Sequence, residues 1–101
     1  MRTRKARLEM ARVRGRHTQD QWIALCFGCR DRCVRCGKAG KVVMDHIVPL
    51  YQAGRFPSDG IENIQPLCHR CNSSKGPEFI DHRPSDWREG YRIMLEELGR
   101  A

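Results

Sequence analysis

The sequence has few aromatic residues, no long apolar run and almost no acidic residues in its first sixteen positions. Aromatic side chains make up 7% of the 101 residues, so a core of this size is expected to need disulfides or a metal for stability. No stretch approaches the roughly 20 apolar residues of a transmembrane helix, which argues against a membrane protein. Residues 1–5 are basic and begin no secretory signal, so we expect a reducing, cytoplasmic location; an organelle transit peptide is the alternative.

Positive charge is concentrated at the N-terminus. The formal net charge is +7, and residues 1–16 hold seven basic side chains against the single acid Glu9. Basic segments bind nucleic acid because each phosphate contact releases condensed counterions. We therefore expect residues 1–16 to be a DNA-binding arm, the alternative being a solvated tail without a specific partner. The basic residues of this arm are Arg2, Arg4, Lys5, Arg7, Arg12, Arg14 and Arg16.

Local patterns indicate two helices and one strand. Thr18 and Gln21 have the spacing of a capping box, and the apolar face that follows predicts a helix up to about Cys29. Residues 42–44 are mostly β-branched and flanked by turns, which predicts a strand. Ser85 is expected to be the N-cap of a C-terminal helix whose apolar side packs on the rest of the domain.

The six cysteines form three C-x-x-C pairs. Two residues between thiolates allow both to reach one tetrahedral ion, so two of the pairs predict a structural zinc site, whereas buried free thiols would not explain the pairing. The predicted ligands are Cys33, Cys36, Cys68 and Cys71. The third pair, Cys26 and Cys29, falls within the apolar face of the predicted helix. We interpret it as small hydrophobic residues, with Cys29 replacing Cys33 at the zinc as the competing hypothesis.

The 31 residues between Cys36 and Cys68 are more than a compact zinc ribbon needs, which indicates a functional insertion between the two pairs. Within it, Asp45 and His46 follow the predicted strand and place a carboxylate beside an imidazole. Such a pair alone is often ordinary polar surface. Between two zinc-binding pairs in a basic protein, it becomes a candidate functional site.

The motifs C-x-x-C-G, D-H-I-V-P-L, N-I-Q-P-L-C and C-x-x-C-N-S-S-K-G, in this order, resemble the HNH endonuclease family. The similarity is strongest to small stand-alone members found in tailed phages and prophages. It implies an α+β fold, namely a small zinc-stabilised ββα-metal (treble-clef-like) HNH domain at residues 17–83. The basic arm would precede this domain, and residues 84–101 would form a C-terminal helix packed on it.

The resemblance also implies roles for individual residues. His46 would be the general base that takes a proton from the attacking water, and Asn63 would brace the adjoining loop and orient the His46 ring. Asp45 and Asn72 would hold the catalytic divalent ion. Because Asn72 stands where many members have histidine, both donors are oxygens, which favours Mg²⁺ or Mn²⁺.

Lys75 and Arg83 are further candidates for contacts with DNA phosphates, solvated charges being the alternative. Together these expectations describe a metal-dependent nuclease that nicks or cuts DNA and leaves 5′-phosphate and 3′-hydroxyl ends. A role beside phage packaging proteins in a bacterial host cell is an extension of the same resemblance. The alternative function is a zinc-knuckle DNA-binding module without catalysis, although binding alone would not require Asp45, His46, Asn63 and Asn72 together.

Overall fold

A computed structural model of the protein describes residues 16–48, 58–76 and 79–100. The elements are helix α1 (Gln19–Gly28), strand β1 (Val43–His46), a 3₁₀ turn (Ile61–Asn63), strand β2 (Ile64–Leu67), helix α2 (His69–Ser74) and helix α3 (Trp87–Gly99). This small α+β architecture confirms the predicted fold class. None of the helices in the described ranges is long and apolar enough to cross a membrane. Apart from Arg16, the predicted basic arm lies outside these ranges.

Helix α1 begins where the capping box predicts. The Gln21 N–H donates to Thr18 Oγ1 at 3.1 Å, and the Thr18 N–H donates to Gln21 Oε1 at 2.8 Å. Two backbone amides at the helix start are thereby paired. After Gly28 the chain leaves the helix through Arg30 and Asp31, both in the left-handed region with φ of 63° and 53°.

Helices α1 and α3 pack against each other at two glycines. A Cβ atom on Gly28 would overlap the carbonyl oxygen of Trp87, and one on Gly90 would lie 2.9 Å from Gly28 Cα. Neither position therefore has room for a side chain. The core beside this contact joins both helices to the 3₁₀ turn and β2, and its buried residues are Leu25, Cys29, Ile61, Ile64 and Trp87.

Helix α3 begins one residue later than predicted. Its N-cap is Asp86, so the prediction of Ser85 is wrong. Ser85 lies inside a turn that the Trp87 N–H closes on the carbonyl of Pro84 at 3.0 Å. The Asp86 carboxylate makes no cap hydrogen bond, because it accepts one from Arg30 Nη2 at 2.6 Å instead. A tertiary ion pair therefore replaces the local cap.

Strands β1 and β2 form an antiparallel pair in which Val43 is opposite Leu67 and His46 is opposite Ile64. The predicted strand at residues 42–44 is thus displaced toward the C-terminus and includes His46. Four-residue strands span about 10 Å, so the two ends of this pair are separate places in the molecule. The Leu67 end adjoins the second cysteine pair, and the other end carries the candidate histidine.

Arg83 connects the start of α3 to the 3₁₀ turn. Its guanidinium donates to three carbonyl oxygens of the 3₁₀ turn and β2 at 3.0–3.3 Å. It also pairs with Asp81 at 2.8 Å and lies 4.5 Å from the centre of the Trp87 ring. The predicted contact of Arg83 with a DNA phosphate is therefore not open to this side chain, because its donors are bound within the protein.

Candidate functional site

Four cysteine thiols converge at the Leu67 end of the strand pair. The Sγ atoms of Cys33, Cys36, Cys68 and Cys71 all lie within 4.8 Å of one another, and those of Cys36 and Cys68 are 3.9 Å apart. Zn–S bonds of about 2.3 Å in a tetrahedron would place the sulfurs about 3.8 Å apart. The cluster therefore has dimensions that can hold a metal ion, and it contains the four predicted ligands.

Backbone hydrogen bonds hold the first cysteine pair in place. The Cys33 N–H donates to the carbonyl of Lys38 at 3.0 Å, and the Gly37 N–H donates to the carbonyl of Cys33 at 2.8 Å. Gly37 has a φ of +80°, which favours glycine over other residues. The Val34 N–H donates to the carbonyl of Pro66 at 3.0 Å, which attaches this turn to β2.

The thiols of the cluster differ in acidity. Burial raises the pKa of Cys33, but hydrogen bonds from the backbone N–H groups of Cys36, Cys68 and Arg35 outweigh burial and lower it to about 6. Burial, followed by hydrogen bonds with the neighbouring thiols, raises the pKa of Cys71 to about 12. Binding of a metal requires that every ligating thiol lose its proton.

The third cysteine pair has a different environment. Cys29 is buried in the core beside Leu25 and Trp87, and Cys26 is half-buried on the same helix. Burial raises the pKa of Cys26 to about 11 and that of Cys29 to about 12. These neutral thiols pack as small hydrophobic groups, as interpreted from the sequence. Within the described residues, Cys33 belongs to the metal-binding cluster and Cys29 does not.

At the opposite end of the strand pair, a carboxylate that the sequence analysis did not single out holds the His46 ring. His46 Nε2 lies 2.8 Å from Asp59 Oδ1, and the Asp59 side chain is only 3% exposed whereas that of His46 is 21% exposed. Because an ionised carboxylate only accepts hydrogen bonds, Nε2 carries the hydrogen, and Nδ1 of the neutral ring keeps the lone pair. Asp59 stands in a Ser-Asp-Gly sequence that predicts only a turn.

Asn63 connects the two chain segments that adjoin this pocket. Its Oδ1 accepts from the Val48 N–H at 2.8 Å, and its Nδ2 donates to the carbonyls of Val48 and Ser58 at 3.1 and 2.8 Å. Its own carbonyl accepts from the Ile47 N–H at 2.9 Å. These contacts are compatible with the bracing role that the resemblance implies.

Asp45 is buried and paired with Lys75. Both carboxylate oxygens lie 2.8 Å from Lys75 Nζ, which also donates to the carbonyl of His46 at 3.0 Å. Gln65 Nε2 donates to Asp45 Oδ2 at 2.9 Å. Lys75 is 7% exposed, so the predicted phosphate contact is not open to it either. A buried carboxylate requires such partners, since an unpaired charge there is costly.

The Asp45 carboxylate already binds one cationic group of the protein. The ammonium of Lys75 already occupies a cation position between the two carboxylate oxygens. Asn72 is half-buried on α2, three residues before Lys75, which follows the end of this helix. A carboxylate and a carboxamide oxygen are the donors that hard divalent ions prefer. An ion bound here would have to displace the Lys75 ammonium.

The segment before α1 contacts Asp59, the partner of His46. Arg16 forms a parallel β-bridge with Asp59, and His17 Nδ1 donates a hydrogen bond to the Asp59 carbonyl. The His17 side chain is 8% exposed, and its Nδ1 lies 3.6 Å from Asp59 Oδ1. Asp59 thus lies between two histidines, of which one comes from outside the segment that carries the family-like motifs.

An open groove of about 810 Å³ lies beside the cysteine cluster. Lys38 and Lys41 line it from the chain before β1, and Arg70 lines it from α2. No acidic residue is among its lining residues in the described structure. The groove therefore presents a positive surface to an anionic polymer.

The comparisons with known proteins concern the middle of the chain. Residues 33–78 match the family model "HNH endonuclease". A stretch of 48 residues is 44% identical to the CRISPR-associated endonuclease Cas9 of Corynebacterium diphtheriae, covering 45% of this chain and 4% of that protein. The chain thus spans a small fraction of the length of this curated relative. No solved structure matches the chain significantly.

Proposed function

We propose that this chain, whose residues 33–78 match the HNH endonuclease family model, is a nuclease that hydrolyses DNA phosphodiester bonds with a divalent ion. The observation that carries the proposal is the His46 imidazole, which is held 2.8 Å from a buried carboxylate and belongs to the residue that follows Asp45, whose own carboxylate binds the Lys75 ammonium. Phosphodiester hydrolysis needs a base and a cation, because water must lose a proton while negative charge builds up on the phosphate.

His46 is the proposed general base. Its Nε2–H donates to Asp59, so Nδ1 of the neutral ring is the atom that accepts the proton of the attacking water. The Asp59 carboxylate stabilises the imidazolium that forms, since opposite charges at hydrogen-bond distance favour the ionised ring. A well-placed general base contributes a rate factor of about 10²–10⁴.

Asp45 and Asn72 are the proposed holders of the divalent ion. The ion supplies positive charge that stabilises the phosphate and the leaving 3′ oxygen, which gives 5′-phosphate and 3′-hydroxyl ends. An ion held there would displace the Lys75 ammonium, which lies 2.8 Å from both Asp45 carboxylate oxygens. Because both ligands offer oxygen, we propose Mg²⁺ or Mn²⁺.

We assign structural zinc to the four-cysteine cluster. Four thiolates complete a tetrahedral shell and leave no position for a reacting water, so this ion has no part in the chemistry. Its effect is positional: it joins the first cysteine pair to the residues around α2. Cys71 directly precedes Asn72, so the zinc also holds the proposed catalytic ligand in place.

DNA is the proposed partner. The groove lined by Lys38, Lys41 and Arg70 and the basic residues before Arg16 supply the positive charge that a phosphate backbone needs. The resemblance to small stand-alone phage proteins further supports a cytoplasmic role in a bacterial host, beside DNA packaging proteins.

Plasmid cleavage tests this function. Supercoiled plasmid is incubated with the zinc-loaded protein, with and without Mg²⁺, and nicked and linear products should form only with the ion. His46→Ala should lower the rate at least about 100-fold while the protein stays folded with unchanged zinc content; its melting temperature should fall somewhat, because Asp59 loses a partner. The matched control is His82→Ala, which keeps the backbone N–H that His82 donates to Gln65 and removes a different imidazole. Full activity in folded His46→Ala protein would refute the assignment.

The Asp45–Lys75 ion pair supports a second candidate, a DNA-binding module without catalysis. In that case Lys75 would fill the cation position permanently. The protein would bind plasmid but leave it intact with every divalent ion, and His46→Ala would not alter binding. The same cleavage assay, run beside a binding assay, separates the two functions.

A further inference from the structure

We infer that His17 is a positioning residue of the His46 site and acts through Asp59. The inference rests on the proposed nuclease function but concerns a residue outside residues 33–78, the segment matched by the family model. It makes the segment before α1 part of the catalytic pocket.

The contacts of Asp59 carry the inference. A carbonyl oxygen only accepts hydrogen bonds, so the bond between His17 Nδ1 and the Asp59 carbonyl requires a hydrogen on Nδ1. The adjacent Arg16 holds the same residue by a parallel β-bridge. The main chain of Asp59 is thus held from one side, while its carboxylate binds His46 at 2.8 Å on the other.

This support matters because Asp59 lies outside the helices and the β1–β2 pair. Neither of its neighbours in the sequence belongs to a helix or strand. A small displacement of Asp59 would carry the His46 ring with it, and a misplacement of about 1 Å at a reacting group can cost about 100-fold in rate. Asn63 holds the carbonyl of the neighbouring Ser58. The hydrogen bond from His17 holds Asp59 itself, so His17 contributes to where the proton-accepting Nδ1 of His46 points.

The position of His17 links the pocket to two other parts of the chain. The next residue, Thr18, is the N-cap of α1, so the orientation of His17 is set by a well-capped helix. The preceding residue, Arg16, is the last of the basic arm. Arg16 is therefore held by Asp59, the same residue whose carboxylate binds the proposed catalytic histidine.

Three substitutions at position 17 test the role of the donor. His17→Asn keeps an N–H donor, because the asparagine amide nitrogen is as many bonds from Cα as His17 Nδ1 is. The side chain in His17→Asp has nearly the same shape as the one in His17→Asn, but an ionised carboxylate presents only acceptors to the Asp59 carbonyl. His17→Ala removes the side-chain donor altogether. We expect kcat to fall about 10- to 100-fold in the Asp and Ala variants, with KM within about twofold. The Asn variant should keep kcat within about threefold of wild type.

Zinc content and melting temperature are measured for all four proteins. A purely structural role would lower the folded fraction and the apparent rate together in the Ala variant, and would leave kcat per folded molecule unchanged. That result would overturn the inference. So would an Asn variant that loses as much kcat as the Ala variant, because the donor would then not be what matters.

A second readout does not depend on cleavage. Nitrogen NMR of the imidazoles, at a pH where they are neutral, reports which nitrogen of His46 carries the hydrogen. Wild type and His17→Asn should both show the Nε2–H form, and His17→Ala should show a mixture of forms. An unchanged His46 signal in His17→Ala would overturn the inference. If wild type cleaves no DNA, the proposed function fails while this measurement still decides the role of His17.

Discussion

The two ends of the β1–β2 pair are stabilised in different ways. At the Leu67 end, four thiols lie within 4.8 Å of one another. Without an ion, these thiols make only weak hydrogen bonds with one another. At the His46 end, hydrogen bonds within the protein pair the functional groups, and in the described ranges no buried side-chain nitrogen or oxygen lacks a partner. The thiol end should therefore depend on a metal for stability, whereas the histidine end should tolerate the loss of a catalytic side chain.

The largest expected effect is at the thiol end. Cys68→Ser should lose the metal and cooperative unfolding together, because zinc contributes roughly 10 kcal/mol or more to the folding of small zinc domains. Cys26→Ser, at a half-buried cysteine outside the cluster, should keep both. Metal analysis and thermal unfolding provide the measurements. A folded, metal-free Cys68→Ser protein would show that this end does not depend on an ion.

The next effect concerns the basic arm, residues 1–16, whose last residue forms a bridge with Asp59. Deletion of residues 1–15 retains Arg16 and its bridge to Asp59 but removes six basic side chains. DNA affinity should fall, and the slope of log K against log salt should flatten by about 0.9 for each phosphate that the protein no longer neutralises. Fluorescence anisotropy at several salt concentrations measures the slope. Melting temperature should not change, and an unchanged slope would mean that the arm does not bind DNA.

A smaller effect is expected for the brace beside His46. Asn63→Ala removes three hydrogen bonds, and we expect a loss of about 1–3 kcal/mol in the free energy of unfolding together with a lower kcat. Asn63→Asp keeps the acceptor for the Val48 N–H but loses both donors, so it should be intermediate. Urea unfolding and cleavage kinetics test this order. Wild-type stability and kcat in Asn63→Ala would rule out a bracing role.

The smallest effect is a change in metal preference at the proposed catalytic ion. Asn72→His replaces an oxygen donor by an imidazole, so cleavage should shift from Mg²⁺ or Mn²⁺ toward Ni²⁺ or Zn²⁺. Asn72→Ala should weaken activity with every ion, and the cysteine cluster should keep its metal in both variants. Plasmid cleavage across a panel of ions is the measurement. If Asn72→Ala responds to the panel as wild type does, Asn72 is not a ligand.

The distribution of charge predicted the roles of individual residues less well than the spacing of residues did. Lys75 and Arg83 were candidates for phosphate contacts, with solvated charge as the alternative, yet both side chains are buried in the structure. Lys75 pairs with buried Asp45 and Arg83 binds the carbonyls of the 3₁₀ turn. Whether a cation faces solvent depends on which carboxylates and carbonyls become buried nearby. That is a property of the packed chain, so composition alone does not predict it.

The three C-x-x-C pairs show that spacing in the sequence does not predict which cysteines come together. All have the same separation in sequence, but Cys26 and Cys29 lie on or next to a helix that is packed in the core, and only the other two pairs meet. Hydrophobic neighbours such as Leu25 indicated this outcome in advance, since a thiol within an apolar helical face is expected to be buried. The competing hypothesis of Cys29 at the metal could be decided only by the positions of the sulfur atoms.

The sequence by itself determined the features that depend on neighbouring residues: the capping box at Thr18, the cysteine pairs and the Asp45–His46 pair. Their chemistry is set by a few bonds of covalent chain, which any fold would preserve. Tertiary structure alone decided the partners of the histidine. Asp59 lies 13 residues from His46 and 42 residues from His17, and no local pattern relates them. They meet because packing of the 3₁₀ turn, β1 and the segment before α1 brings their side chains within hydrogen-bonding distance.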